Sequence, residues 1–188
     1  MKKKMILCLC TVVVATSLFS GCGKKEEVAN NEVKKPEVTE QKEEVKDIDY
    51  VLYFRHKEMP FLFDEAYTVK ENDPRLKGKS IEEFIIQELI NVKPFAEYLN
   101  PMPEGAKLLS IEKENRVVKV NLSKEFQAGL KGTKEDTTLT LAAVVNAITI
   151  LPENDKVIIL IEGKPVSNIN KVDTSKAFEY FDGLYADK

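Results

Sequence analysis

The 188-residue sequence predicts an α+β domain, a compact sandwich built in the order β-α-β-β-α-β with two helices packed on one face of a sheet. Three observations lead there. Ile81, Phe84, Ile85 and Leu89 recur at helical spacing, and so do Leu141, Val144, Val145, Ile148 and Leu151. Short runs rich in β-branched and aromatic residues lie before, between and after these two stretches. Prolines and glycines punctuate the joins.

Residues 50–54, Tyr-Val-Leu-Tyr-Phe, form the opening strand. Phe61, Phe63, Tyr67 and Val69 recur at a spacing of two and suggest one or two short extended pieces, and Asp73-Pro74 marks a turn. Ser80 and Glu83 have the spacing of a capping box, so the first helix starts at Ile81 and Pro94 ends it. Residues 100–105 read as an irregular loop. Residues 107–112 and 116–122 form two strands joined by a tight turn at Glu114-Asn115, with Val118 and Val120 alternating with Lys119 and Asn121. A loop containing Gly129 and Gly132 follows. The second helix is placed from about Thr138 to Pro152, and residues 156–161 form a near-continuous apolar strand that turns at Glu162-Gly163. A short helix is expected around residues 175–181. About 120 residues are enough to fold alone.

The first residues differ in kind. Lys2, Lys3 and Lys4 precede an unbroken apolar and small-residue stretch from residue 5 to 19, and then come Ser20, Gly21 and Cys22. That pattern is a secretory signal, and it is short for a membrane span of about 20 residues. Its ending resembles the bacterial lipobox, with Phe19 where Leu is usual, which implies diacylglycerol on Cys22 after cleavage. Cys8 and Cys10 would leave with the signal, so the mature chain would have neither disulfide nor free thiol. Residues 23–47 hold dense mixed charge and no aromatic residue, the composition of a flexible tether spanning about 25–30 Å. The expected organisation is therefore 1–21 signal peptide, 22–47 lipidated cysteine and tether, 48–165 folded domain, and 166–188 C-terminal extension. The expected location is the extracytoplasmic face of the cell membrane, held by lipid.

The formal charge of −3, from 28 basic and 31 acidic residues, provides no clustered basic face for nucleic acid. His56 is the single histidine; it lies between Arg55 and Lys57 and reads as an exposed strand-end residue. Ser123 has Asn121 and Glu125 where a nucleophile elbow needs glycines, so it reads as a strand end capping the next turn. Glu82, Glu83, Glu88, Glu135 and Asp136 are accounted for as solvated helix faces and first turns. Gly129 and Gly132 lack the Lys-Ser/Thr of a P-loop. No catalytic, cofactor-binding or metal-binding residue is assigned, and the chain is read as a non-enzyme. Asn121 and Asn146 are expected to be structural, and Tyr50, Tyr53 and Phe54 are candidates for a contact surface.

Several segments, in order, resemble the GerMN domain family of sporulation and spore germination proteins. They are residues 50–54; the helix 81–90 before a Pro; Pro103-Glu-Gly-Ala-Lys-Leu-Leu-Ser110; Val118-Lys-Val-Asn-Leu-Ser-Lys-Glu-Phe126; residues 141–150 with Val145-Asn146-Ala147; and residues 157–163. The resemblance implies a lipoprotein of Gram-positive spore formers and a compact domain similar to ring-building motifs of secretion complexes. It implies no catalytic residues. The function expected is a tethered interaction domain that docks an envelope protein or a second copy of itself; the alternative is a cell-wall or small-ligand binding lipoprotein.

Overall fold

The computed structural model describes residues 45–185. The signal, Cys22 and nearly all of the tether lie outside the described residues. Strand β1 (Asp47–His56) pairs antiparallel with β2 (Leu62–Lys70), in register from Asp47 opposite Lys70 to Arg55 opposite Leu62. After a 3-10 turn at Pro74–Leu76 comes helix α1 (Ile81–Asn91), then the two-residue strand β3 (Tyr98–Leu99), which flanks β1 at Arg55 and His56. A second sheet begins with the hairpin β4 (Leu108–Glu114) and β5 (Val117–Leu122). Helices α2 (Lys124–Gly129) and α3 (Lys134–Thr149) carry the chain over to β6 (Lys156–Ile161), which is parallel to β5, and β7 (Lys164–Pro165) closes the order β4-β5-β6-β7. A small ribbon of β8 (Asn168–Ile169) and β9 (Val172–Asp173) follows.

The α+β class and the strand–helix order hold, and one pairing differs from expectation. β1 does not join the sheet of β4, β5 and β6. It is hydrogen-bonded along nearly its whole length to β2, in a separate sheet ordered β2-β1-β3. The segment expected to give short extended pieces is thus one nine-residue strand. α1 touches β1 and β4, and α3 touches β1 and β6, so both helices contact both sheets. This placement explains why α3 is buried continuously from Leu139 to Ile148 instead of along one face, with Ala142, Ala143 and Ala147 allowing close approach.

Local chemistry sets the boundaries. Ser80 Oγ accepts from the Glu83 N–H at 3.1 Å, but the Glu83 carboxylate turns outward and accepts from Gln87, so half of the expected capping box forms. The full box belongs to α3. Thr133 accepts from the Asp136 N–H, and the Asp136 carboxylate accepts from the Thr133 N–H at 2.8 Å. α3 therefore starts at Lys134, one turn earlier than Thr138. The β4–β5 turn is centred on Asn115 and Arg116, both with positive φ (47° and 66°), one residue later than expected. Two positive φ values define a type I′ turn, whose twist suits a hairpin. Residues 175–181 form no helix. The chain bends at Ser175 and Lys176, Phe178 then bridges Val157, and the segment to Tyr185 packs on the domain.

Candidate functional site

One cleft of about 270 Å³ opens where the end of β1, the loop after β3, the loop after α2 and the first turns of α3 meet. Most of its polar groups serve its own walls. Asn100 Nδ2 donates to the carbonyls of Ile90 and Val92, and its Oδ1 accepts from Met102 N at 2.7 Å. Thr140 donates to the Pro101 carbonyl at 3.1 Å, and Thr137 accepts from Asn170 at 2.8 Å. The loops meet so closely that a Cβ on Gly129 would lie 2.4 Å from Pro103 Cβ, and one on Gly132 would lie 2.4 Å from Asp136 Oδ2. These glycines fit the approach of two loops, not a phosphate.

The charges in the cleft are Arg55, Lys131 and Asp136. Arg55 Nη2 donates to Asp136 Oδ1, tying β1 to the first turn of α3. The Thr133 N–H, and after it the Thr133 hydroxyl and Arg55, hold the Asp136 carboxyl below its ordinary value against a smaller opposing effect of desolvation. Arg55 Nε is buried without an acceptor, one of two such side-chain atoms among the described residues. Lys131 is exposed on the rim. Sequence reasoning noted Arg55 only as a neighbour of His56, and Asp136 only as a solvated carboxylate. The available signal was the Thr133–Asp136 spacing.

The residues weighed for chemistry are not brought together. His56 Nδ1 accepts from the N–H groups of Glu58 and Met59 at 3.1 and 3.0 Å, while its ring packs on Phe61 and Tyr98. It shapes the β1–β2 turn. Ser123 does stand at the start of the next helix, but its Oγ accepts from the Lys107 N–H at 3.1 Å, and the Lys124 N–H is met instead by the Glu162 carboxylate at 2.8 Å. Asn121 accepts from Gly163 N at 2.7 Å and so fixes the β6–β7 turn. Tyr50, Tyr53 and Phe54, expected as a contact surface, are at most 5% exposed: Tyr50 and Phe54 lie on one face of β1, against Phe84 and Phe95, and Tyr53 lies on the other, where Tyr180 and Tyr185 cover it. The exposed apolar residues near that end are Met59, Phe95 and Leu99. Among the described residues no group of three or more His, Cys, Asp or Glu could hold a metal ion.

Glu82 also departs from expectation. It is 4% exposed, not solvated, and accepts from Lys113 Nζ at 3.0 Å and from Asn154 Nδ2 at 3.2 Å. Burial alone would raise its carboxyl; hydrogen bonds from its own backbone, Lys113 and Asn154 outweigh that and hold it below the ordinary value. A group depressed in the folded state stabilises above its unfolded pKa and loses that contribution as pH falls through the folded one. Glu82→Gln is therefore expected to cost about 1–2 kcal/mol at neutral pH and to flatten the acid limb of the stability profile below about pH 4.3. Equal acid sensitivity of the variant and the parent in urea melts would rule this out.

Comparison with known proteins places the fold. The family Germane, sporulation and spore germination, matches residues 51–167. The first GerMN domain of the sporulation protein GerM from Bacillus subtilis is 16% identical with a TM-score of 0.52, over 72% of this chain and 98% of that one. The tandem GerMN domains of the same protein give 15% and 0.56, over 74% of this chain and 48% of theirs, so this chain spans about half of that pair. A Clostridium perfringens chain provisionally described as a lipoprotein is 26% identical with a TM-score of 0.49, over 71% of this chain and 87% of that one. No curated protein matches the sequence. With the family match covering 51–167 and a fold shared with solved GerMN domains, this chain belongs to the Germane family of sporulation and spore germination proteins.

Proposed function

We propose that this protein is a lipid-anchored, extracytoplasmic GerMN-domain protein that acts by contact with an envelope protein, in sporulation, germination or envelope assembly, and not by turnover. The observation that carries this reading is the family match over the folded region, together with the signal and lipobox pattern ahead of it. The anchor is diacylglycerol on Cys22, and the tether lets the domain reach about 25–30 Å from the bilayer. The hydrogen bonding of His56, Ser123 and Glu82, and the burial of the last two, support a non-enzymatic role, since each is committed to local structure.

Cys22→Ala is expected to abolish labelling by radioactive palmitate and to move the protein out of the mature membrane fraction. Labelling and membrane partition equal to the parent would rule out the anchor. Crosslinking in intact cells, compared between growth and sporulation, should trap a specific envelope protein. Hydrolysis of peptidoglycan or of a peptide by the purified protein, lost on changing one carboxylate, would overturn the contact reading.

A further inference from the structure

We propose that the cleft between β1 and α3 binds the terminal carboxylate of a partner peptide whose last side chain is small and apolar. The assignment rests on the reading of the domain as a contact module, and it names the chemistry of that contact.

Charge is the first argument. Arg55 and Lys131 outnumber Asp136 in the cleft, and Asp136 is already engaged on its other oxygen by both the N–H and the hydroxyl of Thr133. Arg55 has five N–H donors and uses one, from Nη2 to Asp136. Its Nε is sealed beneath the surface without an acceptor, while the side chain remains 29% exposed. With two cations against one carboxylate, the positive charge is under-compensated along the exposed edge of the side chain. An incoming carboxylate takes that edge and gains a second cation in Lys131.

Shape is the second argument. At about 270 Å³ the cleft falls just below the usual ligand sites, which run from roughly 300 to 1,000 Å³, so it admits a chain end and not a large ligand. Pro101, Met102, Pro103 and Leu130 provide the apolar wall. The Asn100, Thr137 and Thr140 side chains are bound within the protein and leave little for a polar side chain to find. What the cleft offers is a fixed guanidinium beside a small apolar surface, and a carboxylate next to a methyl-sized side chain matches it.

The test uses the full chain in detergent and isothermal titration with N-acetyl-L-Ala-L-Ala, its C-terminal amide, and the D,D acid. The L,L acid is expected to bind, and the amide to bind roughly tenfold more weakly or not at all, because the charge pair is lost. Lys131→Ala, a change at an exposed position, should weaken the acid several-fold and reduce its salt dependence. Arg55→Lys should weaken it further with the melting temperature nearly unchanged, because an ammonium replaces the charge but not the planar fork. Equal binding of acid and amide, no binding at millimolar concentrations, or indifference to both variants would overturn the site. Preference for the D,D acid would overturn the protein-terminus assignment and place a cell-wall stem peptide in the cleft. A crosslinked envelope partner that persists unchanged in Arg55→Lys would preserve the contact reading and sink this site alone.

Discussion

Asn146→Ala is expected to destabilise the domain by about 2–3 kcal/mol and to release the C-terminal segment. Asn146 is fully buried in the middle of α3, where an amide would ordinarily be a liability. Its Oδ1 accepts from Phe181 N at 2.8 Å, and its Nδ2 donates to the Phe181 carbonyl at 3.0 Å and to the Tyr185 hydroxyl. One side chain thus reproduces both hydrogen bonds of a strand partner for Phe181. Tyr185 then donates to Tyr180 at 2.8 Å, and Tyr53 on β1 meets Tyr180 at 3.4 Å. Burial, and the Tyr180 hydroxyl beside each, raise the Tyr53 and Tyr185 phenols far above their ordinary range. Truncation at Asn146 leaves both Phe181 groups unpaired, and water can reach them only if the segment lifts. Urea melts and proteolysis are the measurements. A loss under about 0.5 kcal/mol, the scale of an ordinary surface change, with the C-terminal segment still protected, would refute the clasp.

That clasp shows where the sequence was legible and where it was not. Ser80 announced α1, and the alternation Val118, Val120 announced β5, because caps and half-buried strands write their physics into neighbouring residues. The expectation that Asn121 and Asn146 were structural holds for the same reason: a polar residue inside an apolar element needs a partner. The partner of Asn146, however, is 35 residues away, and no local pattern names it. The residues 175–181 looked helical in isolation, yet their backbone pairs with Val157 and Asn146 instead, so tertiary contacts override local preference. The pairing of β1 with β2 was missed for a related reason. Phe63, Tyr67 and Val69 alternate, but Asp64 and Glu65 interrupt the apolar run, and Glu65 sits half-buried on the same face as Phe63 and Tyr67, opposite Leu52, a placement that only the pairing with β1 reveals. Of the candidate cleft only the Thr133–Asp136 spacing was legible, since Arg55 at the end of β1 and the loop at residues 100–103 join the start of α3 from far away in the sequence.

Phe126→Ala is expected to cost about 3–5 kcal/mol, the range for removing a buried aromatic side chain. The sequence reading treated the stretch after Ser123 as a turn, and a turn residue would tolerate the change. In the structure Phe126 is fully buried and anchors α2, a six-residue helix too short to persist on its own propensity. The other attachments of α2 are the Glu162 carboxylate on the Lys124 N–H and the contact of the helix with β6. Without Phe126 the helix has no apolar side chain in the core. The consequence extends beyond stability, because α2 ends at Gly129 and carries the loop that forms one wall of the cleft. Loosening it moves Leu130 and Lys131 away from Arg55. Phe126→Ala should therefore lose peptide-acid binding even at temperatures where the fold survives, whereas Gln127→Ala, an exposed change on the same helix, should alter neither. A Phe126→Ala variant that melts within about 1 kcal/mol of the parent would mean that α2 is held by its hydrogen bonds and not by its aromatic anchor.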